Sequence, residues 1–241
     1  MEKSNSINFS IIMPAFNEES SIISSTRQNM DTFSSFGLDY EIIIVDDKST
    51  DQTRTIGIEL AEKHPEVRCY YHNKNLGPGG AFRTGLSHAT KEYIIFIPLD
   101  MPLTPEDLKP YLSRVGVCDI VVGVRVKRIG YTVFARFASF CYNRIMIPLF
   151  FNIGISDANW IQVYRRSHFL DGTLAFGNSR IFFLVEILVK ARQNRLIVAE
   201  IPSKMDRRLH GRPTCSRFSV MWITFWDAIK FFWKIHKGSG L

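Results

Sequence analysis

Short apolar runs alternate with amphipathic segments along the first half of the 241-residue chain. Runs rich in Ile, Val and Phe predict strands, whereas apolar residues at helical spacing predict helices. Strands are predicted at 9–13, 41–45, 67–71, 93–97 and 119–124, and helices after Glu18, at 50–63, after Gly80 and at 105–114. This alternation is typical of an α/β fold with a mainly parallel sheet and helices on both faces.

The second half mixes aromatic and basic residues. Apolar spacing there predicts one helix at 179–193 and another from about residue 218 to 233, followed by lysines. We expect the segment at 131–151 and the C-terminal helix to lie at a bilayer surface, although ordinary core helices or a dimer face are alternatives. The chain length and a hydrophobic content of 46% favour one domain over residues 1–241.

The formal net charge of +7 favours an anionic partner. Because the basic residues accompany aromatic ones in the second half, a membrane surface is a better match than nucleic acid, for which no binding motif is present. No uncharged apolar run of about 18 residues predicts a membrane span. The four scattered cysteines, together with an N-terminus that has no signal-peptide pattern, indicate a cytoplasmic location.

Three predicted strands end in polar loops of similar design, at 11–18, 42–51 and 95–107. Because parallel strands present their carboxyl ends at one edge of a sheet, these loops are expected to meet in one crevice. Asp100 directly follows an apolar strand and is the first candidate for binding a ligand or metal ion, the alternative being a surface acid that caps a turn. Asp46 and Asp47 either close a turn before a helix or hydrogen-bond a ribose or base.

Two further features admit more than one interpretation. The glycine-rich run at 75–85 either binds phosphate through backbone N–H groups or forms a tight turn with close helix packing. Asp157 and Glu186 lie in apolar surroundings, where an ionised carboxylate needs a partner, and each could pair with an arginine. The histidines do not have the spacing of a zinc site.

Several segments form an ordered series of motifs. PAFNE at 14–18, VDDKSTD at 45–51 and the run at 75–85 are followed by GVR at 123–125, by Asp157 and Glu186, and by EIP at 200–202 with RLHG at 208–211. Together they resemble the family 2 glycosyltransferases with the GT-A fold, whose first motifs are PxYNE, VDDGSxD and NxGxxxAxxxG. The closest resemblance is to the branch of dolichol-phosphate mannosyltransferase and bacterial polyprenyl-phosphate glycosyltransferases.

The resemblance implies that the sheet binds a nucleotide-sugar and that a DxD signature holds Mg²⁺ or Mn²⁺ on the diphosphate. Asp100 would be the last acid of this signature and the metal ligand, whereas Pro98 replaces the first acid. The residues implied in donor binding are Pro14, Phe16, Glu18, Asp46, Asp47, Asn75, Gly80 and Arg208. Arg125 and Arg136 would bind an acceptor phosphate, and Arg125 would also act in catalysis with Asp100.

We therefore expect an inverting glycosyltransferase that moves a sugar to polyprenyl or dolichyl phosphate at the cytosolic face of a membrane, with peripheral attachment. Residues 1–125 would bind the nucleotide-sugar, and residues 126–241 the acceptor and the membrane. If the acceptor is a sugar hydroxyl, a general base is required, and Asp157 is the candidate. The alternatives are transfer to a polysaccharide or lipid-linked sugar, or a catalytically weakened nucleotide-sugar-binding protein. A second copy of the chain and a membrane-anchoring subunit are further possible partners.

Overall fold

The computed structural model describes residues 7–126, 140–177, 179–203 and 218–237, and only the backbone for 218–222 and 236. The described strands are β1 (Asn8–Ala15), β2 (Asp39–Asp46), β3 (Val67–Tyr71), β4 (Tyr93–Phe96), β5 (Ile120–Arg125), β6 (Gln162–Arg165) and β7 (Val198–Ser203). The described helices are α1 (Ile22–Ser35), α2 (Thr53–Lys63), α3 (Gly77–His88), α4 (Pro105–Leu112), α5 (Ile147–Phe151), α6 (Ser167–Leu170), α7 (Phe183–Gln193) and α8 (Phe218–His236), with a π-helical turn at Tyr142–Met146 before α5.

The strands form one seven-stranded sheet in the order β3-β2-β1-β4-β6-β5-β7. Neighbouring strands are parallel except at β6, which is antiparallel to both β4 and β5. The expected α/β class is confirmed. Because β6 runs against its neighbours, its first residue lies at the same sheet edge as the last residues of the other strands. The described loops at this edge can therefore contribute to one site.

Apolar residues of the strands pack on both faces of the sheet, which explains why the sequence shows continuous apolar runs there. Ile12 and Phe96 face a cluster with Phe82 of α3 and Val185 of α7. On the opposite face, the cluster includes residues of the same strands and of α1, α2 and α4, among them Ile11, Met13, Phe33, Leu60 and Leu108. Helices cover both faces, as the pattern predicts.

Two strands, β6 and β7, were not expected from the sequence. β6 contains Gln162, a polar residue that is fully buried. Its burial is tolerated because its Nε2 donates to the Ala158 carbonyl and its Oε1 accepts from the Tyr164 hydroxyl. β7 contains Pro202, which is tolerated because β7 is the last strand of the described sheet. Neither strand shows the apolar run by which the others were recognised.

The C-terminal helix α8 has one packed face and one exposed face. Ala228 and Phe231 are buried in the core, where Phe231 contacts Phe151 and Phe182. The opposite side exposes Trp226 and Trp233, along with other apolar and lysine side chains. Among the described residues, no helix has the length and apolar character needed to cross a membrane. Of the expected interfacial segment at 131–151, residues 131–139 lie outside the described part.

Candidate functional site

The loops after β1, β2 and β4 lie side by side at the carboxyl edge of the sheet. Ala15 pairs with Asp46 in β2, and Ile12 pairs with Phe96 in β4. Beyond the strands, the amide of Asp47 donates to the Ala15 carbonyl at 2.8 Å and that of Ile97 to the Ile12 carbonyl at 3.0 Å. The three junctions therefore lie at one edge of the sheet, as the parallel strands predicted.

The loops after β1 and β2 are joined by reciprocal hydrogen bonds. The Asn17 amide N–H donates to Ser49 Oγ at 3.0 Å, and Asn17 Oδ1 accepts the Thr50 N–H at 2.9 Å. Two residues further on, the Glu19 N–H donates to Asp51, and Glu19 accepts from the Gln52 N–H. Asn17 has a φ of +56°, a conformation that asparagine adopts more readily than most residues. The two loops therefore form one rigid wall.

The two acids at the end of β2 have different surroundings. Both Asp46 oxygens accept weakly from the Ser49 N–H, at 3.2 and 3.4 Å. Asp47 instead accepts from the N–H groups of Leu76 and Gly77, each at 2.7 Å, and contacts His72 Nδ1 at 2.8 Å. Both acids are buried. Asp47 thus provides the negative charge at the start of α3, where free N–H groups favour an anion.

The glycine-rich run serves close packing in this structure. The Gly79 N–H donates to the carbonyl of Arg180 at 2.8 Å, and a Cβ on Gly79 would lie 2.2 Å from the Ser179 carbonyl oxygen. A Cβ on Gly80 would lie 2.3 Å from Leu76 Cβ. The Asp47 carboxylate accepts the N–H groups of Leu76 and Gly77, and the Arg180 carbonyl accepts that of Gly79. Because these N–H groups at the start of α3 already have partners, the tight-turn interpretation describes this run better than the phosphate-loop one.

Asn75 connects the start of α3 to the segment before α7. Its Nδ2 donates to the Asp47 carbonyl at 3.1 Å, and its two oxygens accept from the guanidinium of Arg180. The Asp47 and Asn75 contacts hold the acidic loop and the glycine-rich helix as one unit. His72 and Arg180, which take part in this arrangement, were not expected from the sequence, and no local signal marks Arg180.

Three other predicted donor-binding residues, Pro14, Phe16 and Glu18, lie at the end of β1 and in the loop that follows it. Phe16 is 49% exposed, whereas Pro14 is half-buried. Glu18 accepts from Ser21 Oγ, and its N–H donates to Thr53 Oγ1 at 2.7 Å. An exposed aromatic ring in a rigid loop is the type of surface against which a base or sugar stacks.

Asp100 lies in a tight turn that α1 holds in place. The Met101 N–H donates to the Pro98 carbonyl at 3.0 Å, while Ser25 Oγ donates to the Leu99 carbonyl. The side chains of Leu99 and Met101 are buried, whereas Asp100 between them is only half-buried. Asp100 is therefore the more exposed residue of this turn, next to the end of β4.

The residues at this edge are suited to a metal ion that arrives with its substrate. No group of three or more His, Cys, Asp or Glu residues able to hold a metal is found within the described ranges. Mg²⁺ is commonly held by one or two carboxylates together with substrate phosphates and water. Asp100 fits this mode as a single carboxylate, and Pro98 cannot supply a second.

Arg125 and Asp157 form a buried corner at the same edge. Arg125 Nε and Nη2 donate to the two Asp157 carboxylate oxygens at 2.6 and 2.7 Å, and the guanidinium lies 4.6 Å from the centre of the Trp160 ring. Gly123 allows close packing here, since a Cβ would lie 2.0 Å from the Tyr111 hydroxyl. The pairing of Asp157 with an arginine is the alternative that the sequence left open.

Glu186 and several other charged residues near the site remain to be placed. Glu186 accepts from the Gly177 N–H at 2.6 Å. Burial lowers the pKa of Arg83, and the charge of Glu186 opposes this shift. Burial alone would raise the pKa of Asp51, but hydrogen bonds from Thr53 and the Glu19 N–H hold it below its ordinary value. Arg136 and Arg208 lie outside the described residues.

A family model for glycosyl transferase family 2 matches residues 10–183, and the chain belongs to this family. The matched region begins within β1, contains β2 to β6 and ends at the first residue of α7. It therefore includes the acidic loops, the glycine-rich helix and the Arg125–Asp157 corner.

Solved structures with related folds include several bacterial proteins. S. aureus TarS 1–349 in complex with UDP-GlcNAc has a TM-score of 0.61 at 17% identity, over 94% of this chain and 65% of that one. Mannosyl-3-phosphoglycerate synthase from Rubrobacter xylanophilus has a TM-score of 0.70 at 14% identity, over 96% and 75%. Glucosyl-3-phosphoglycerate synthase from Mycobacterium tuberculosis, with Mn²⁺, UDP and glucosyl-3-phosphoglycerate, has a TM-score of 0.63 at 17% identity, over 94% and 80%. The present chain thus spans slightly less than two thirds of TarS 1–349.

Proposed function

We propose that the protein is an inverting glycosyltransferase that moves a sugar from a nucleotide-sugar to a polyprenyl or dolichyl phosphate at the cytosolic face of a membrane. Membership in family 2 supports the reaction class. The observation that carries the proposal is the meeting of three loops, with Phe16, Asp46 and Asp100, at the carboxyl edge of adjacent parallel strands. Ligands of open α/β sheets bind at this kind of edge.

Different loops along the sheet edge are proposed to contact different parts of the donor. Phe16 and Asp46 lie on the first two loops and would contact the nucleoside, whereas Asp100 on the loop after β4 would face the diphosphate. A bound Mg²⁺ or Mn²⁺ at Asp100 would neutralise charge on the departing nucleotide diphosphate. Asp47 would contribute indirectly, because its carboxylate already binds the start of α3.

For the acceptor, the Arg125–Asp157 pair favours a phosphate over a sugar hydroxyl. A hydroxyl acceptor needs a general base, but both oxygens of the Asp157 carboxylate accept N–H groups of Arg125. A phosphate monoester has a second pKa near 6 and is largely ionised at neutral pH, so that its oxygen needs little help from a base. Arg136 is the proposed phosphate contact, whereas Arg125, already paired with Asp157, would contribute through its charge and by holding this corner in place.

The exposed side of α8 supports a membrane-bound acceptor. Trp226 and Trp233 lie seven residues apart on this side, with Lys230 between them also exposed. Trp and Lys side chains together are typical of helices that lie in the interface of a bilayer. This arrangement would bring a water-soluble donor to a lipid acceptor.

The test is transfer of labelled sugar from a panel of UDP- and GDP-sugars to extractable polyprenyl phosphate with Mg²⁺ or Mn²⁺. We expect label in the organic phase with wild-type protein, little label with Asp100→Asn, and wild-type transfer with the exposed control Asp31→Asn. Parallel reactions contain a polysaccharide, a lipid-linked sugar or 3-phosphoglycerate, which the names of two related structures suggest. Label in one of these instead would move the proposal to that acceptor. Nucleotide binding without any transfer would favour the binding-protein alternative, which Pro98 motivates because it replaces the first acid of the DxD signature.

A further inference from the structure

Lys48 occupies an unusual backbone conformation next to the proposed donor site. Its φ is +64°, in the left-handed region that disfavours a residue with a Cβ. The motif that VDDKSTD resembles has glycine at this position, and glycine adopts this conformation without strain. Lysine therefore adds strain here without an evident benefit to the fold. A strained residue beside a ligand site is a reason to look for a role in binding.

The residues on either side hold Lys48 firmly in this conformation. The Ser49 N–H donates to Asp46, Ser49 Oγ accepts from Asn17, and the Thr50 N–H donates to Asn17 Oδ1. The Lys48 side chain is exposed, and within the described ranges its ammonium group makes no hydrogen bond or ion pair. The backbone of a positively charged residue is thus held at a fixed position on the wall formed by the first two loops.

The position of Lys48 relative to Asp100 follows from the sheet. Lys48 follows β2 and Asp100 follows β4, and β1 separates these two strands. Two strand spacings place the two loops about 10 Å apart. A lysine side chain has a flexible four-carbon stem, so its ammonium group can cover part of this distance. A diphosphate bound near Asp100 would lie between the two residues.

We propose that Lys48 binds the diphosphate of the nucleotide-sugar donor. Relative to the motifs that the chain resembles, this edge has one acid fewer, at Pro98, and one cation more, at Lys48. Both changes make this edge more positive, which favours direct binding of an anion. Lys48 thereby supplies part of the charge neutralisation that a metal ion held by two carboxylates would provide. The inference rests on the proposed use of a nucleotide-sugar donor.

The test is calorimetric binding of UDP, GDP and the corresponding nucleosides in the presence of EDTA. We expect wild-type protein to bind one of the two diphosphates without metal, and Lys48→Gln to bind it about tenfold more weakly, as for loss of one charged hydrogen bond. Lys48→Arg should retain most of the affinity, and the distant control Lys63→Gln all of it. Lys48→Gly should lose affinity while its melting temperature stays at or above that of wild type, because the backbone strain is relieved.

The outcomes separate this inference from the function on which it rests. Failure of wild-type protein to bind either diphosphate, with or without Mg²⁺, would refute the proposed donor. Wild-type binding that Lys48→Gln leaves unchanged would refute the role of Lys48 alone. If Lys48→Gln weakens the nucleoside as much as the diphosphate, Lys48 contacts the base or ribose, and the diphosphate assignment is wrong.

Discussion

Arg125 at the end of β5 and Asp157 before β6 are joined by two parallel hydrogen bonds of 2.6 and 2.7 Å. Their side chains are 9% and 1% exposed. Removal of one partner leaves the other charge buried, which typically costs about 3–5 kcal/mol. We therefore expect Asp157→Asn and Arg125→Met each to lower the free energy of unfolding by about 3 kcal/mol in urea denaturation.

The exposed pair Lys91–Asp39 is the matched control, with side chains 25% and 59% exposed. Asp39→Asn should change the free energy of unfolding by less than about 1 kcal/mol. The double variant Arg125→Met, Asp157→Leu should recover much of the loss, because no charge is left unpaired. A change below about 1 kcal/mol for Asp157→Asn would mean that water reaches this pair.

The acid stability of the protein should depend on Glu41. Burial alone would raise the pKa of Glu41, but hydrogen bonds from Ser10 and Thr90 and the charge of Arg68 hold it below the ordinary value of 4.5. The unfolded state therefore binds this proton more readily than the folded state. The stabilisation is complete above pH 4.5 and is lost as the pH falls through the lower pKa of the folded state.

We expect Glu41→Gln to flatten the loss of unfolding free energy below about pH 4.5 and to lower stability at neutral pH. Urea denaturation at a series of pH values measures both effects. Glu59→Gln, which changes an exposed acid paired with Lys63, should leave the pH profile unchanged. An identical acid profile for wild type and Glu41→Gln would show that other carboxylates control unfolding.

Asp47 should stabilise the start of α3. Asp47→Asn retains one acceptor oxygen where the native carboxylate has two, so one of the N–H groups of Leu76 and Gly77 loses its partner. Loss of a buried partner costs about 1–3 kcal/mol. We expect a decrease of that size and faster hydrogen exchange at these two amides. Glu106→Gln, in the exposed first turn of α4, is the control. Unchanged exchange at both amides would argue against the capping role.

Gly85 should not tolerate a side chain. A Cβ at this position would lie 2.4 Å from Ile12 Cγ2, where α3 packs on the central strand β1. We expect Gly85→Ala to destabilise the protein by about 1–3 kcal/mol in spite of the better helix propensity of alanine. Ser87→Ala, on the exposed side of the same helix, should have little effect. Equal thermal stability of both variants would contradict this packing.

Membrane binding should depend on the exposed face of α8. Replacement of Trp226 and Trp233 by serine removes side chains that are 44% and 57% exposed, so the fold should remain intact. We expect the double variant to bind vesicles of anionic phospholipid at least about tenfold more weakly in sedimentation assays. Val117→Ser changes an exposed side chain in the turn before β5 and should bind as wild type does. Wild-type protein that stays in the supernatant would rule out the membrane surface as a partner.

The sequence predicted the α/β class and the acidic edge because both depend on local patterns. A run of apolar residues that ends in an acid predicts a buried strand and a polar loop regardless of what lies beside it. The strands β6 and β7 were missed because their stability depends on neighbours far away in the chain. Tyr93 pairs with Arg165 across β4 and β6, and nothing in the residues around Gln162 indicates that pairing.

The difference between local patterns and long-range contacts also explains which parts of the site the sequence predicted. Asp100 and Asp46 follow from their position at strand ends. The binding of Asp47 to the start of α3 depends on amides 29 and 30 residues further along the chain. The contacts of Asn75 with Arg180 span 105 residues. Such partners are determined by tertiary packing, which a local motif does not contain.

The position of β5 has a consequence for how the protein is made. Within the described sheet, β5 is hydrogen-bonded to β6 and β7, whereas β1 to β4 pair among themselves. During synthesis, β1 to β4 can therefore associate early, but β5 has no partner strand until residue 165 has emerged. The Arg125 end of the site should therefore form after the acidic loops that follow β1, β2 and β4.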